Sequence, residues 1–233
     1  FVISWLALML IIIGLLVAQT IALSDQYQNV EPVAGGIYKE GVLGTFTNAS
    51  PIYATSNVDA TVARLVFAGL LKYDQNNQLV PDLAESYSVS ANGLTHTVKL
   101  KPNLTWHDGQ PLTSADVVYT YQTIQNPDAQ SPLQSSWQGI TITATDAQTV
   151  TIKLPSSLAA FPYNLTTGIV PQHILGKTEP ADLRSSDFNT IKPIGAGPFA
   201  WQAIEANGDD LDAIQQQIAL KPFTQYALGK PKL

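Results

Sequence analysis

The first segment of the chain, Phe1 to Leu23, contains no charged residue, and this feature constrains the fold more than any other. About 20 apolar residues in a helix cross the roughly 30 Å hydrocarbon layer of a bilayer, so the segment is long enough to span a membrane. A cleaved signal peptide has a shorter apolar region, about 7 to 15 residues, followed by a small-residue cleavage pattern. Gln19 to Ser24 show no clear pattern of that kind. We therefore predict a transmembrane anchor at 1–23, with a cleaved signal segment as the alternative.

The residues after this segment favour an exported body. Residues 24–32 have the polar composition of a linker. No Lys or Arg follows the apolar segment before Lys39, whereas positive residues normally mark the cytoplasmic side of a membrane helix. We therefore predict localisation at the cell membrane, with the body on the extracellular or periplasmic side.

The composition narrows the possible partners and chemistry. The net charge is −6 and the 12 Lys and Arg residues form no basic run, which argues against a nucleic-acid partner because such binding depends on clustered positive charge. The chain has no cysteine, which excludes a disulfide framework, a thiolate metal site and a cysteine nucleophile. A lipid tether through cysteine is excluded as well, so the apolar helix would have to hold the protein at the membrane.

Short strand and helix signals alternate after the linker. We predict a first strand from Ile37 to Gly44 and a loop from Thr45 to Pro51. Asp74 to Gln78 has the composition of a turn. Asp59 is predicted to cap a helix whose apolar residues recur at helical spacing: Val62, Leu65, Val66 and Leu70.

Two β-hairpins are predicted further along the chain. Segments 87–90 and 95–100 flank Asn92-Gly93, a pair suited to turn positions with positive φ. Segments 140–144 and 149–154 flank a second turn, and both of these arms alternate with a period of two.

A well-marked helix lies between the hairpins. Thr113 is predicted as its N-cap, Asp116 as the acid of a capping box, and Pro127 as the residue that ends it. Its apolar stripe consists of Val117, Val118, Tyr121 and Ile124. Because strands and helices alternate in an irregular order, we predict a mixed α/β (α+β) fold rather than a regular βαβ repeat.

Candidate catalytic patterns have simpler structural interpretations. Trp106-His107-Asp108-Gly109 contains a His/Asp pair, but Asp-Gly forms turns and no nucleophile or third orienting group is evident. The histidines at 96, 107 and 173 do not have the spacing of metal ligands. Gly195 to Pro198 lacks the Gly-Lys-Ser/Thr ending of a phosphate loop and is interpreted as a chain crossing. We predict no catalytic residue, no metal site and no cofactor.

Several blocks in one order resemble solute-binding protein family 5, which holds the dipeptide-, oligopeptide- and nickel-binding receptors of ABC importers. The most distinctive block is Leu104 to Val118. The others are Leu65 to Asp74, Leu79 to Tyr87, Ser90 to Lys101, Asp146 to Leu154, Ile169 to Leu175, Pro193 to Phe199 and Gly229 to Leu233.

The resemblance implies part of a periplasmic-binding-protein type II-like fold, preceded by one transmembrane helix. Residues 33–58 would begin domain I, 59–185 would form an inserted domain II, and 186–233 would return to domain I. The third lobe of the family, which carries the acidic residue that holds a peptide's α-amino group, would lie outside this sequence.

The resemblance further implies a receptor rather than an enzyme. Its partners would be peptides or other small solutes, the permease and ATPase of an ABC importer, and the membrane. The ligand-binding residues it implies are Thr45, Phe46, Thr47 and Asn48, whose backbone would lie along an extended ligand.

Alternatives remain at the level of sequence. Phe46 is equally well interpreted as a core aromatic residue, and Tyr121 and Trp137 as core residues rather than pocket lining. Other functions are a membrane-anchored sensing or assembly domain without transport, or binding of nickel or another solute. An extracellular hydrolase would need a catalytic constellation that the sequence does not display.

Overall fold

The computed structural model describes residues 1–28, 35–207 and 215–232. It forms two compact units, one of Phe1–Tyr38 with Lys232–Leu233 and one of Lys39–Pro231. The predicted domain boundaries at residues 59 and 186 both fall inside the second unit and stay predictions.

The apolar N-terminus forms helix α1, Val2–Gln28. The portion Val2–Ile21 has a mean hydropathy of 2.5, and none of it is buried against other parts of the protein. Its length and composition suffice to cross a membrane, a property that signal sequences share. The predicted helix is therefore confirmed.

The predicted strand from Ile37 to Gly44 is wrong, because this segment has no regular structure. Its apolar residues are not covered: Ile37 is 88% exposed and Leu43 is 99% exposed. A strand is stable only when its backbone pairs with a neighbour and one face is covered, and this segment has neither feature. Gly44, with φ of 126°, adds a backbone conformation that breaks an extended run.

Helix α2, Asn57–Val66, is capped by Ser56 and not by Asp59 as predicted. The Ser56 hydroxyl accepts a hydrogen bond of 3.0 Å from the backbone N–H of Asp59, which is the usual pairing of an N-cap with the third helical residue. Because Phe67 has an extended backbone, the helix ends before Leu70, which is fully buried in the segment that follows. The freed Asp59 carboxylate therefore has other partners.

Two antiparallel sheets follow α2. Strands β1 (Leu71–Tyr73) and β2 (Leu79–Pro81) pair across the predicted turn, where the Asp74 carboxylate accepts from the backbone N–H groups of Asn76 and Gln78. A four-stranded sheet is formed by β3 (Ala84–Val89), β4 (Thr95–Leu100), β5 (Thr141–Asp146) and β6 (Thr149–Lys153), in the order β3-β4-β6-β5. Both predicted hairpins are confirmed.

One face of this sheet is covered by helix α3, Ser114–Gln125, as the apolar pattern predicts. Thr113 and Asp116 form the predicted capping box, and Val117, Tyr121 and Ile124 are fully buried. Val118 lies at the flank of the stripe and is only half-buried. The inward side chains of the sheet complete the core: Val98, Leu100, Ile142, Val150 and Ile152.

Short helices and a long hairpin complete the second unit. Helices α4 (Gln134–Trp137) and α5 (Gln172–Leu175) are each one turn long. Strands β7 (Phe199–Asn207) and β8 (Gln215–Pro222) form a two-stranded antiparallel sheet. Short segments of 3₁₀ helix lie at Pro127–Ala129, Phe161–Thr166, Pro180–Ser185 and Asp187–Asn189.

The segment Gly195 to Gly197 crosses the C-terminal end of α2 at very close range. The backbone N–H of Gly197 donates to the carbonyl of Val66 at 2.9 Å. A Cβ atom added at Gly195 would lie 1.9 Å from that same carbonyl oxygen. Glycine is therefore required here because no side chain fits between the two backbones.

We predict that Gly195→Ala lowers the free energy of unfolding by about 3 kcal/mol or more, since a backbone must move to relieve the overlap. Chemical denaturation of the purified chain measures the loss. Gly41→Ala is the matched control, because no atom lies within 4 Å of its added Cβ. Equal stability of the two variants would contradict the close crossing.

Candidate functional site

The predicted ligand-binding segment, residues 45–48, runs over the surface with alternating exposure. Thr45 and Thr47 are exposed, whereas Phe46 and Asn48 are buried. The segment is not part of a regular strand. Its conformation is instead fixed by side chains that reach it from distant parts of the chain.

Gln216, on β8, fixes the backbone of Phe46. Its carboxamide oxygen accepts from the Phe46 N–H at 2.7 Å, and its amide nitrogen donates to the Phe46 carbonyl at 3.3 Å. One side chain thus replaces the pair of backbone hydrogen bonds that a neighbouring strand would supply. The Phe46 ring is 5% exposed and lies 5.7 Å from the ring of Trp201, so the core interpretation of this side chain is the one that its burial supports.

Asp59 fixes the next two residues. One carboxylate oxygen accepts from the backbone N–H of Thr47 at 2.8 Å and of Asn48 at 3.0 Å. The other accepts from the Thr47 hydroxyl at 2.7 Å. Asp59 is only 2% exposed, and burial of a carboxylate is tolerated because each oxygen has hydrogen-bond donors.

The segment continues into a second anchored region. The Asn48 side-chain oxygen accepts from the Ser50 N–H at 2.8 Å, and the Ala49 N–H donates to the carbonyl of Asn189 at 2.7 Å. The buried amide of Asn189 in turn donates to the carbonyls of Leu183 and Arg184. Residues 45–50 are therefore held by the segment 183–189 as well as by α2 and β8.

The prediction from sequence names residues 45–48, but it does not name Asp59 and Gln216, which fix the backbone of this segment. The sequence analysis interprets Asp59 as a helix cap. Because Ser56 is the cap, the Asp59 carboxylate is available to accept hydrogen bonds from another segment. Gln216 lies 170 residues from Phe46, and nothing local in the sequence signals the contact.

Tyr121 and Trp137 are core residues and do not line a cleft. Their rings stack with centroids 3.9 Å apart, and both side chains are fully buried. Burial raises the pKa of the Tyr121 hydroxyl far above its ordinary value because the phenolate would be desolvated. The structure therefore favours the core interpretation of this pair.

The Trp106-His107-Asp108-Gly109 segment is a tight turn, as predicted. Trp106 is fully buried, and the Gly109 N–H donates to its carbonyl at 2.9 Å. Asp108 lies 2.8 Å from the exposed ring of His173. It takes no part in the hydrogen bonds that the ring of His107 makes. Among the residues that the structure describes, no three His, Cys, Asp or Glu side chains are placed to hold a metal ion.

His107 stabilises the glycine crossing. Its Nδ1 accepts from the Gly195 N–H at 3.2 Å, so its Nε2 carries the proton and donates to the Gly197 carbonyl at 3.1 Å. Burial lowers the pKa of His107, opposed by the Gly197 carbonyl and by Asp108, while Lys221 lowers it further. The neutral ring is therefore the form that holds the crossing.

We predict that stability falls as the pH falls below about 6.5, the ordinary histidine pKa, toward the lower pKa of folded His107, because the unfolded chain then binds more protons. Burial also lowers the pKa of His96, which adds to the same trend. His107→Gln should cost about 1–2 kcal/mol at pH 7.5 for two weakened hydrogen bonds and flatten the pH dependence. Urea unfolding at pH 7.5, 6 and 5 measures both effects.

His173→Gln is the control for this measurement. It changes the histidine that contacts Asp108 and leaves the His107 bonds intact, so the decrease of stability at low pH should persist. An unchanged pH dependence in His107→Gln would contradict the assigned role of His107.

The model of the family described as bacterial extracellular solute-binding proteins, family 5 Middle, matches residues 78–233. This chain belongs to that family. Its mixed α/β fold is part of a type II periplasmic-binding-protein fold, as predicted.

Three comparisons illustrate the relationship. The oligopeptide-binding protein AppA of Bacillus subtilis (strain 168) is 31% identical over 206 residues, which is 87% of this chain and 36% of that protein. A solved structure of AppA from Bacillus subtilis in complex with a nonapeptide has a TM-score of 0.78 at 30% identity and covers 87% of this chain and 39% of that chain. NikZ from Campylobacter jejuni in complex with Ni(L-His) has a TM-score of 0.68 at 27% identity, covering 80% of this chain and 35% of that chain.

The first of these relatives is described as an oligopeptide-binding protein, and NikZ was solved in complex with Ni(L-His). This chain spans 36% of the length of the curated relative AppA. The comparisons therefore establish the family and the fold, while the ligand and the partners are matters for proposal.

Proposed function

We propose that this protein is an extracytoplasmic substrate-binding receptor of an ABC importer, and that it binds di- or oligopeptides in a hinged cleft and delivers them to the permease. The observation that carries the proposal is the similarity to AppA, which extends over 87% of the chain and includes a structure bound to a nonapeptide. No enzymatic activity is part of the proposal, because the relatives are binding proteins.

Residues 45–48 form one side of the ligand site in this proposal. Thr45 and Thr47 are exposed, and the backbone between them is fixed by Gln216 and Asp59. A fixed backbone suits recognition of a peptide main chain, which tolerates many peptide sequences because the contacts do not depend on side chains. Closure of further lobes over the ligand would be a hinge motion driven by higher affinity of the closed state.

A nickel chelate is the second candidate ligand, supported by the similarity to NikZ with Ni(L-His). Peptide is favoured because the similarity to AppA is higher in both identity and TM-score. A sensing or assembly role without transport is the third candidate, and it predicts that neither ligand binds.

Helix α1 is proposed to anchor the protein in the membrane with the body outside. Support comes from the uncharged and mainly apolar composition of Val2–Ile21 and from the extracellular location stated for the family. A permease and an ATPase would then be its partners within the membrane complex.

We predict that the product of the complete gene binds mixed di- to nonapeptides, with measurable heat in calorimetric titration and a raised melting temperature. The matched titration uses Ni(L-His) under the same conditions. Heat with the chelate alone would move the assignment to nickel, and no effect from either probe would contradict a transport receptor for these solutes.

We predict that α1 is retained in the mature protein. Mass spectrometry of the protein purified from membranes of its source organism should detect a peptide that includes Trp5 to Met9. Extraction with alkaline carbonate should leave the protein in the membrane fraction. A double substitution of Ile12 and Ile13 by Arg should reduce membrane retention, because each central Arg costs about 2.5–3.5 kcal/mol on insertion. A mature protein that begins after Leu23 would assign α1 as a cleaved signal.

A further inference from the structure

The turn between β3 and β4 contains a chemically labile dipeptide, Asn92-Gly93. An asparagine followed by glycine deamidates more readily than other asparagines, because glycine has no side chain to hinder attack by its backbone nitrogen. Gly93 has a φ of 70°, in the left-handed region that favours glycine, so the turn itself requires this residue. Asn92 is exposed to water. Sequence and exposure alone would therefore mark Asn92 as a site of spontaneous modification.

Deamidation of this pair proceeds through a cyclic imide. The Gly93 backbone nitrogen loses its proton to a base and forms a bond to Cγ of Asn92, and ammonia leaves. Water then opens the ring at one of its two carbonyl C–N bonds, which leaves aspartate or isoaspartate at position 92. Ring closure therefore requires a Gly93 nitrogen that is free to lose its proton and an Asn92 side chain that is free to turn toward it.

The folded turn engages both of these reacting groups in hydrogen bonds. The Gly93 N–H donates to the Ser90 carbonyl at 2.8 Å. The Asn92 side-chain oxygen accepts from the Ser90 hydroxyl at 2.7 Å and from the Leu94 N–H at 3.1 Å. The attacking nitrogen is thus held toward Ser90, while the carboxamide is held by two donors.

Ser90 organises the turn through its backbone and its side chain. Its N–H donates to the Thr95 carbonyl at 2.8 Å, and its hydroxyl oxygen accepts from the Thr95 N–H at 2.9 Å. The same hydroxyl donates to Asn92. The Ser90 side chain therefore joins the first residue of β4 to the reacting carboxamide. Gly93 is also half-buried, because Ser157 packs closely against it.

Donors to a carboxamide oxygen can also promote attack, because they stabilise the negative charge that develops on that oxygen. In this turn, however, the donors from Ser90 and Leu94 already bind the oxygen in the ground state. An interaction that is equally strong in the ground state and the transition state does not accelerate a reaction. Loss of the hydrogen bond from Gly93 to Ser90 is required only for reaction, so the net effect of the turn is protection.

We propose that Asn92 is a latent deamidation site that the folded turn keeps unreactive, and that Ser90 is the positioning residue. The reaction then takes place in chains whose hairpin has opened locally or that have unfolded. Isoaspartate lengthens the backbone inside a turn that is closed by the bonds of Ser90 to Gly93 and Thr95, so the product hinders re-formation of the hairpin. Only water and a base are needed, and the chemistry does not depend on which ligand the protein binds.

The rate of deamidation at Asn92 tests the protection. The purified full chain is incubated at mildly alkaline pH, either folded or unfolded in guanidinium chloride. Aspartate and isoaspartate at position 92 are then quantified by chromatography and mass spectrometry. The folded wild type should react at least about tenfold more slowly than the unfolded chain, since opening the turn breaks several hydrogen bonds. In the unfolded chain, Asn207-Gly208 should react at a rate similar to that of Asn92 and is the internal reference.

Equal rates at Asn92 in the folded and the unfolded chain would overturn the protection. A faster reaction in the folded chain would overturn it as well, because the two donors to the carboxamide oxygen would then be promoting attack.

Substitutions test the positioning role of Ser90. Ser90→Ala should accelerate deamidation of the folded chain about threefold to tenfold, the effect of one or two lost hydrogen bonds, and leave the unfolded chain unchanged. Ser90→Thr keeps a hydroxyl and should restore most of the protection. Ser88→Ala is the matched control, since Ser88 is an exposed serine on β3 that lies outside the turn. It should leave the rate at Asn92 unchanged.

Unfolding of each variant in guanidinium chloride at the same pH separates local opening from a general loss of stability. The acceleration in Ser90→Ala should exceed the increase in its unfolded fraction. An acceleration that only matches this increase would place the reaction in the unfolded chain and overturn the positioning role. No acceleration in Ser90→Ala, or an equal one in Ser88→Ala, would overturn it too.

Discussion

Helix α2 is fixed at both ends by hydrogen bonds to segments that are distant in sequence, and the second unit depends on this constraint. At its N-terminal end, Asp59 accepts from the backbone of Thr47 and Asn48. At its C-terminal end, the Val66 carbonyl accepts from Gly197. The helix therefore joins the candidate ligand segment to the glycine crossing, which His107 holds from the other side. A displacement of the helix would break both sets of bonds.

These bonds explain how a segment without regular structure is held in one conformation. Residues 45–50 lack the backbone ladder of a strand, yet their N–H groups pair with Gln216, Asp59, Asn48 and Asn189. Burying a polar group without a hydrogen-bond partner costs free energy. The conformation in which all of these groups are paired is therefore the stable one. The specificity of the conformation thus comes from polar groups, while the core of the four-stranded sheet and α3 supplies the apolar burial.

The parts of the fold that were predictable from sequence are those set by local patterns. The two hairpins and α3 were predicted because alternation, an Asn-Gly turn and a capping box are local signals, and each element buries the side that its pattern indicates. The predicted strand at 37–44 is wrong because residues suited to a strand do not by themselves supply a pairing partner. The prediction of Asp59 as the cap is wrong because the helix begins earlier, at Asn57, so that Ser56 is the N-cap and Asp59 is the third helical residue. The sequence indicates a chain crossing at Gly195 from its glycine-rich composition. It does not indicate how closely the backbone approaches the Val66 carbonyl.

The candidate site shows the same limit in sharper form. The family resemblance implies residues 45–48 as ligand-binding residues. It does not indicate which of their backbone N–H and C=O groups are already hydrogen-bonded within the protein. That property depends on Gln216, 170 residues from Phe46, and on the rotation of the Asp59 carboxylate away from its own helix. A change of either residue therefore leaves the local sequence of the segment intact while altering which of its backbone groups are paired within the protein.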